Sequence, residues 1–325
     1  MPEPAVVTTL EADGAWPRLD HFLVDRLEGL SRTRIQALIK GGLVRVDDVP
    51  VVKAREPLAG GERIQVDLPG EPDRQRVVPE EMALDIIHED QWIVVVNKPA
   101  GLVTHPGRGI SRGTLVNGLA GRFERLSGAG GRLRPGIVHR LDKGTSGVLV
   151  VALSDQVHGA LAAQFERREV KKHYLALVWG RPKPSGRIEA NLVRDPRNRL
   201  AFTTSASAGR TALTEYSTKE TFPGFTLLDV QPHTGRTHQI RVHLSHLGHP
   251  IFGDDRYGGV RPAAGIAPHL RGAARELGQV LQRPALHASR LGFTHPGSGQ
   301  WVEFEAPLAR DFILALELLG LRIND

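Results

Sequence analysis

The sequence predicts an α+β fold in two parts, a small N-terminal unit of helices and strands and a larger unit built on a mixed, largely antiparallel sheet. The chain has 325 residues, more than the roughly 150 of a typical single domain. Residues 68–76 are rich in Pro, Gly and charged side chains, as linkers are. Strand and helix patterns then follow one another without strict βαβ alternation. We therefore place the units at residues 16–70 and 83–325, with a linker over residues 71–82.

The composition is that of an ordinary globular protein, with 40% hydrophobic and 24% charged residues, and it excludes wholesale disorder and fibrous repeats. The net charge of +6 suits a polyanionic partner such as nucleic acid without being specific to one. The absence of cysteine excludes thiolate catalysis, iron–sulfur clusters, cysteine zinc sites and disulfides. No signal peptide and no apolar run near the ~20 residues of a membrane helix is visible, so we expect a cytoplasmic protein without a membrane span.

The small unit begins with two predicted helices. In the first, three apolar residues recur at helical spacing, namely Leu19, Phe22 and Leu23. The second is predicted over Thr33–Lys40, with Ser31 as its N-cap and the pair Gly41-Gly42 as its end. Two alternating runs, Leu43–Val46 and Arg63–Leu68, then predict strands.

Basic residues collect on the second helix and its flanks, at Arg32, Arg34, Lys40 and Arg45. Such a cluster is either a solvated face or a surface that follows phosphates, and its position on a compact two-helix element favours the second interpretation. The runs at residues 18–20, 31–39 and 42–46 resemble an S4 RNA-binding domain. This resemblance implies that the unit binds structured RNA.

The larger unit combines strand patterns with one strong helix pattern. Strands are predicted at Ile93–Val96, Gly136–His139, Gly147–Leu153, Tyr174–Val178 and Thr226–Val230. A helix is predicted over Val157–Arg168, where Leu161 and Phe165 have helical spacing. Two further segments, Ser127–Arg134 and the Gly-, Ala- and Arg-rich Gly258–Pro284, are expected to be flexible insertions.

Asp142 is the single carboxylate in the densest polar stretch, Gly136–Val151. An aspartate in a turn often binds its own backbone, here near Gly144 and Thr145. The stretch His233–Leu244 favours another role, because its helical spacing places Arg241 on the buried face. An unpaired interior charge costs several kcal/mol, so Arg241 needs a carboxylate, and Asp142 is the natural partner. Such a pair would keep Asp142 ionised, as a nucleophile requires.

Other chemistries find less support. Five histidines invite a metal interpretation, at His233, His238, His243, His246 and His249. His243 and His246 would lie one helical turn apart, but no carboxylate has ligand spacing to them, and no metal site is predicted. The motifs of P-loop hydrolases, α/β-hydrolases, dinucleotide-binding enzymes and zinc proteases are absent from the sequence.

Several runs together resemble the RluA-type family of RNA pseudouridine synthases. They are Asn97–Pro106, Gly136–Ala152, Lys172–Val178, Gly235–Leu244, Gly248–Asp254, Leu286–Ala288, Phe293–Pro296 and Phe304–Leu308. The resemblance spans residues 84–308, and its most specific part is the His-Arg-Leu-Asp run ending at Asp142, followed by Thr-Ser-Gly.

The resemblance implies roles for individual residues. Asp142 matches the catalytic aspartate of the family, Arg241 the arginine paired with it, and Tyr174 the active-site tyrosine. Arg140 matches an arginine that fills the space left by a flipped base, and His139 beside it is expected to bind substrate. The pocket for uracil is implied at Ile240 and Leu286. Core packing remains an alternative for Tyr174 and Leu286.

The implied reaction breaks the N1–C1′ bond of uridine, turns the uracil and joins C5 to C1′, after the base has left its stack. Neither redox change nor net hydrolysis occurs, so neither a cofactor nor a metal is expected. The residues leave open whether the carboxylate attacks covalently or supports elimination to a glycal.

The S4-like unit and the run from Arg134 to Arg140 resemble the synthase D subgroup. This subgroup implies 23S large-subunit ribosomal RNA or a pre-ribosomal particle as partner. We expect a monomer, although the sequence does not determine the oligomeric state. Synthase C shares the domain order and stays open. So do two other functions, a non-catalytic S4-containing RNA-binding or ribosome-assembly factor and a zinc-dependent RNA hydrolase.

Overall fold

The computed structural model describes residues 6–27, 30, 32–68, 77–107, 109–260 and 265–321. Contacts divide the chain into two compact units between residues 76 and 77. The predicted N-cap Ser31 and most of the Pro- and Gly-rich linker segment lie outside the described residues. In the described part, no helix combines the length and the apolar character that crossing a membrane requires.

The N-terminal unit packs two helices against a four-stranded sheet. Its elements are β1 (Val6–Glu11), α1 (Leu19–Arg26), α2 (Arg32–Lys40), β2 (Val44–Val46), β3 (Val49–Pro50) and β4 (Arg63–Leu68). The strand order is β1-β4-β2-β3, and every pair is antiparallel. Leu19, Phe22 and Leu23 are completely buried, which confirms the predicted apolar face of the first helix. The sequence did not predict β1, which pairs with β4 along its whole length.

The larger unit is built on one mixed sheet. Its strands are β5 (Ile86–Glu89), β6 (Ile93–Lys98), β7 (Ser146–Ala152), β8 (Lys171–Trp179), β9 (Ser185–Arg194), β10 (Phe202–Ser205), β11 (Arg210–Phe222), β12 (Phe225–Pro232), β13 (Leu286–Thr294) and β14 (Trp301–Glu305). Its helices are α3 (Leu115–Arg122), α4 (Asp155–Arg167), α5 (Gln239–His246), α6 (Arg271–Val280) and α7 (Arg310–Leu318). The order is β10-β9-β11-β12-β8-β13-β7-β6-β5, with β14 beside β13. Only β7 and β13 pair in parallel among the described strands, so the predicted mixed α+β fold is confirmed.

The sheet carries two apolar cores. One gathers side chains of β8, β12, α5, α6 and α7, and the other those of β6, β7, α3 and α4. The parallel pair β7 and β13 lies where the two halves of the sheet meet. The turn that precedes β7 and the start of β13 are therefore brought side by side at the centre of the unit.

The strand predicted at Gly136–His139 is wrong. Only Ile137 forms a single bridge, to Val151. Gly136 has a left-handed backbone with φ of 73°, and its N–H donates to the carbonyl of Ser127, so the chain turns here instead of extending.

The flexible insertion predicted at Gly258–Pro284 is also wrong for its described second half. It contains α6, which packs on α7 and buries Leu277 and Leu281 almost completely. The Gly, Ala and Arg content indicated a loop, but the two leucines are four residues apart, which is the spacing of an amphipathic helix.

Candidate active site

A cleft of about 580 Å³ opens in the larger unit. Its walls come from the turn before β7, the start of β8, the loop leading into α5, α5 itself and the start of β13. All the predicted catalytic and substrate-binding residues line it: His139, Arg140, Asp142, Tyr174, Ile240, Arg241 and Leu286. Residues that are up to 147 positions apart in sequence therefore share one cavity.

Asp142 and Arg241 are in contact in this cleft. The Nη1 atom of Arg241 donates to Oδ2 of Asp142 at 3.3 Å. The turn itself is closed by the backbone, since the N–H of Thr145 donates to the main-chain carbonyl of Asp142 at 3.0 Å. The carboxylate of Asp142 therefore binds Arg241 and not the backbone of its own turn. Asp142 lines the cleft.

Arg241 has a second carboxylate partner that the sequence reasoning missed. Its Nε and Nη2 atoms donate to the two oxygens of Asp254 at 2.7 and 2.8 Å, and Asp254 is completely buried. Burial by itself lowers the pKa of Arg241, but the hydrogen bonds and charge of Asp254 outweigh this effect and raise it. The guanidinium is thus fixed in position and charge. The sequence signal for this contact is that Asp254 ends the run Gly248–Asp254 and follows Arg241 by only 13 residues.

Three hydrogen bonds hold the turn that carries Asp142. They run from Thr104 Oγ1 to the carbonyl of Leu141 at 2.9 Å, from the N–H of Gly101 to the carbonyl of Lys143 at 2.8 Å, and from Arg283 Nη1 to the carbonyl of Gly144 at 3.2 Å. Two of them start from the Asn97–Pro106 run. The same run buries Lys98, whose Nζ donates to the carbonyls of Pro99 and Leu102 at 2.9 Å, and burial lowers the pKa of Lys98 to about 7.

Arg283 ties the turn to the rest of the fold. Its Nη1 atom is also 3.2 Å from the carbonyl of Leu286, on the cleft wall. Its Nε and Nη2 atoms bind both oxygens of Asp311 on α7, at 2.6 and 2.8 Å. One side chain therefore links the Asp142 turn, the start of β13 and α7.

His139 and Arg140 occupy the same cleft in different ways. The Nε2 atom of His139 accepts the N–H of Val150 at 3.0 Å, and the ring stacks on Phe165 with centroids 4.6 Å apart. Burial, together with the charge of Lys172, lowers the pKa of His139 to about 3, so the ring is neutral at physiological pH. Arg140 is exposed and presents its guanidinium at the cleft.

Tyr174 and two aliphatic residues form the apolar part of the wall. Ile240 and Leu286 are 6% and 4% exposed. Burial and the nearby Asp142 charge raise the pKa of Tyr174, so its hydroxyl stays protonated. Ring and aliphatic groups beside a charged pair can hold a flat base away from water.

The predicted RNA-binding residues of the N-terminal unit have different environments. Asp20 is completely buried and binds Arg18 through two hydrogen bonds, which lower its pKa. Arg32 is half exposed, with Nε 3.3 Å from Asp20 Oδ2, so it is partly committed to the fold. Lys40 and Arg45 are exposed, and the side chain of Arg34 lies outside the described residues.

His243 and His246 have different surroundings in the described part of the chain. His243 is buried, with Nδ1 2.9 Å from Thr214 Oγ1, and His246 is exposed, with Nδ1 3.3 Å from Thr204 Oγ1. Neither shares a partner with the other in the part of the chain that the structure describes.

A different trio, His88, Asp90 and His295, does converge, with ligand atoms within 4.8 Å of one another. However, Nδ1 of His295 accepts two backbone N–H groups, those of Gly297 and Ser298. A histidine that binds metal almost always donates from its second ring nitrogen. This trio therefore fits a hydrogen-bonded cluster centred on Asp90.

Comparison with known proteins adds sequence and fold similarity to this geometry. The family model for RNA pseudouridylate synthase matches residues 92–246, and that for the S4 domain matches residues 17–64. An uncharacterized RNA pseudouridine synthase of Chloroflexus aurantiacus is 46% identical over 302 residues, which cover 93% of this chain and 90% of that protein. The chain belongs to the RNA pseudouridine synthase family.

Other members of the family support the same membership. Ribosomal large subunit pseudouridine synthase D of Neisseria meningitidis serogroup A is 41% identical over 319 residues, covering 98% of this chain and 83% of that protein. The structure of human RNA pseudouridylate synthase domain containing 4 aligns over 74% of this chain and 95% of its own, with a TM-score of 0.57 and 26% identity. The protein is thus an RNA pseudouridine synthase, an isomerase with an S4 domain.

Proposed function

We propose that this pseudouridine synthase modifies uridines of 23S large-subunit ribosomal RNA and that Asp142 is its catalytic carboxylate. The observation that carries the catalytic assignment is the contact between Asp142 and Arg241 on the wall of the cleft. The ribosomal target is supported by the name of the Neisseria relative and by the S4 domain. Such a substrate would place the enzyme in the cytoplasm, and we expect it to act as a monomer.

In the proposed reaction the N1–C1′ bond of the flipped uridine breaks and its electron pair passes to N1 of the uracil. Either a carboxylate oxygen of Asp142 bonds to C1′, or the ribose loses its C2′ proton and becomes a glycal. The uracil then turns and C5 bonds to C1′. In the covalent route the Asp142–C1′ bond breaks and its electron pair returns to the carboxylate, and in the glycal route C2′ regains its proton. The C5 proton then leaves and N1 is protonated. The product has the atoms of the substrate, and no oxidant or reductant takes part.

The other residues of the cleft have distinct proposed roles. The guanidinium of Arg241, held by Asp254, compensates the charge of Asp142, and both side chains of this pair are largely buried. The Tyr174 ring packs against the base, and its protonated hydroxyl can give or pass a proton. Ile240 and Leu286 keep the detached uracil in the cavity.

The rim of the cleft is basic, which suits an RNA strand. It includes Arg134, Arg140, Arg168, Lys172 and Arg236. We assign to Arg140 the space that the extruded base leaves, where its guanidinium can stack and offset the few kcal/mol of unstacking. Replacement of Arg140 by Ala should then slow modification of a stem-loop more than that of an unstructured strand of the same sequence.

The target is tested in cells. Pseudouridines are mapped by carbodiimide-stopped primer extension in a strain that lacks the protein and in the same strain carrying the wild-type or the Asp142→Asn form. We expect one or a few stops in 23S RNA to disappear and to return only with the wild type. Loss of stops from transfer RNA or 16S RNA instead would overturn the ribosomal target and leave the catalytic assignment standing.

A further inference from the structure

The residue that precedes α5 has an unusual backbone. His238 adopts the left-handed conformation, with φ of 57° and ψ of 18°, although it carries a Cβ atom. Its side chain makes no capping hydrogen bond to α5, so helix capping does not account for the conformation. Such backbones cluster at functional sites, where the surrounding structure holds them in place. His238 is one of the residues that line the cleft.

The imidazole of His238 lies beside the carboxylate of Asp142. Its Nε2 atom is 3.8 Å from Oδ2 of Asp142, and its side chain is 12% exposed. Its Nδ1 atom is 2.7 Å from the hydroxyl of Tyr257, and the ring is packed edge-on against Tyr257 and Phe202. The ring is therefore held on three sides and can move little.

The contact with Tyr257 favours one tautomer of His238. The hydroxyl oxygen of Tyr257 accepts the N–H of Phe202 at 2.9 Å. Its own proton is then available for Nδ1 of His238, and burial raises the pKa of Tyr257, so this proton is retained. With Nδ1 as the acceptor of this bond, a neutral His238 carries its proton on Nε2, the nitrogen that faces Asp142.

Burial keeps His238 neutral, and the charges around it act in opposite directions. Burial lowers its pKa, and the cations Arg241 and Arg256 lower it further, against the opposing effect of the anions Asp142 and Asp254. A neutral imidazole can orient a carboxylate through a hydrogen bond without neutralising its charge. This distinguishes the contribution of His238 from that of Arg241.

We propose that His238 is a positioning residue of the active site: its Nε2–H fixes Oδ2 of Asp142 together with Arg241, so that Oδ1 is the oxygen presented to the ribose. Arg241 Nη1 and His238 Nε2 both face Oδ2, at 3.3 and 3.8 Å. The longer distance exceeds a hydrogen bond, and we expect it to shorten when RNA binds, because catalytic hydrogen bonds are often long in structures without substrate. This inference rests on the proposed role of Asp142.

The first test compares purified full-length variants on an RNA stem-loop substrate. His238→Asn keeps a residue that tolerates the left-handed backbone but shortens the side chain, and we expect kcat to fall about 10- to 100-fold with KM changed less than threefold. His246→Asn is the matched control, because His246 lies exposed at the end of the same helix, and it should leave kcat unchanged. A His238→Asn enzyme with kcat within twofold of the wild type would overturn the proposal.

The second test reads the tautomer directly. Nitrogen NMR of histidine-labelled wild-type protein, with His238 assigned by its absence in His238→Asn, should show Nε2 protonated and Nδ1 unprotonated. In Tyr257→Phe the ring should become a mixture of tautomers, with kcat reduced about 3- to 10-fold. A wild-type ring protonated on Nδ1 alone would contradict the proposal, whatever the variants do.

The two proposals fail differently. If Asp142→Asn is inactive and His238→Asn is fully active, the role of Asp142 stands and that of His238 falls. If Asp142→Asn keeps its activity, the assignment of Asp142 falls and the inference about His238 falls with it.

Discussion

Arg241 binds Asp254 through two hydrogen bonds of 2.7 and 2.8 Å, both to a carboxylate that is completely buried. Its contact with Asp142 is single and longer, at 3.3 Å. The guanidinium is therefore held mainly by Asp254, and its remaining nitrogen, Nη1, contacts Asp142. Asp254 thus holds Arg241 in place, whereas Asp142 is the acid that lines the cleft.

Replacement of Asp254 by Asn should damage both stability and turnover. The buried guanidinium loses its charged partner, and breaking a buried ion pair costs about 3–5 kcal/mol. We expect a fall of that order in the free energy of unfolding, measured with urea, and a 10- to 100-fold lower kcat in the fraction that is folded. Asp255→Asn, at an exposed neighbouring position, is the control and should change neither. A stable Asp254→Asn enzyme with normal turnover would show that Arg241 needs no anchor.

Removal of the Arg283 guanidinium should loosen the Asp142 turn. Arg283→Met leaves the carbonyl of Gly144 and both oxygens of Asp311 without their donor, and a loss of about 2–4 kcal/mol in unfolding free energy is expected. Turnover should fall at least tenfold, because misplacement of a catalytic group by about 1 Å costs about 100-fold. Urea unfolding and initial rates check this, with exposed Arg310→Met as the control. Equal rates in the two variants would remove Arg283 from the support of the turn.

Buried neutral histidines should make the fold sensitive to acid. His243 and His287 are completely buried, and burial lowers the pKa of each to about 4. The unfolded chain takes up these protons near pH 6.5 but the folded chain does not, so stability falls as pH drops from about 6.5 to 4. The slope is about 1.4 kcal/mol per pH unit for each group.

The contribution of one histidine can be isolated by substitution. In His243→Leu, urea unfolding between pH 7 and 4.5 should show a slope shallower by about one proton than in the wild type. The replacement removes one hydrogen bond, between Nδ1 and Oγ1 of Thr214, while Thr214 keeps its bond from Gln239 and Nε2 of His243 has no partner to lose in the described structure. Parallel curves for the two proteins would mean that His243 is protonated in the folded state.

The helix within the 258–284 segment should be a stable part of the fold. Leu277 is 1% exposed and packs in the main core, so Leu277→Ala should cost about 2–5 kcal/mol. Gln279→Ala, on the exposed face of the same helix, should cost less than about 0.5 kcal/mol. Amide hydrogen exchange over residues 271–280 gives an independent measure of the stability of this helix. Exchange at the rate of an unfolded peptide would show that the segment is a flexible insertion after all.

Hydrophobic periodicity and charge were sufficient to predict contacts of residues that lie in regular helices and strands. The helical spacing around Arg241 and the cost of an unpaired buried charge were enough to expect its contact with Asp142. The same reasoning could not predict the contacts of Asp254 or Tyr257. Both lie in irregular chain after α5, where the sequence has no helical or strand periodicity that would indicate the direction of a side chain.

Two sequence predictions are wrong for different physical reasons. Apolar residues around Ile137 indicated a strand, but a glycine with positive φ turned the chain there. The second half of the 258–284 segment was judged by its Gly, Ala and Arg content, although Leu277 and Leu281 have the spacing of a buried helix face. In this segment the spacing of the two leucines indicates a buried helix, whereas the amino-acid composition indicated a flexible loop.

Release of tritium from RNA labelled at C5 of uridine tests the central claim most directly, since C5 loses its hydrogen only when it bonds to C1′. Asp142→Asn keeps the shape of the side chain and removes its charge. We predict that this variant binds the RNA within threefold of the wild type and releases tritium at least 10⁴-fold more slowly. Release at one tenth of the wild-type rate or faster would contradict the account.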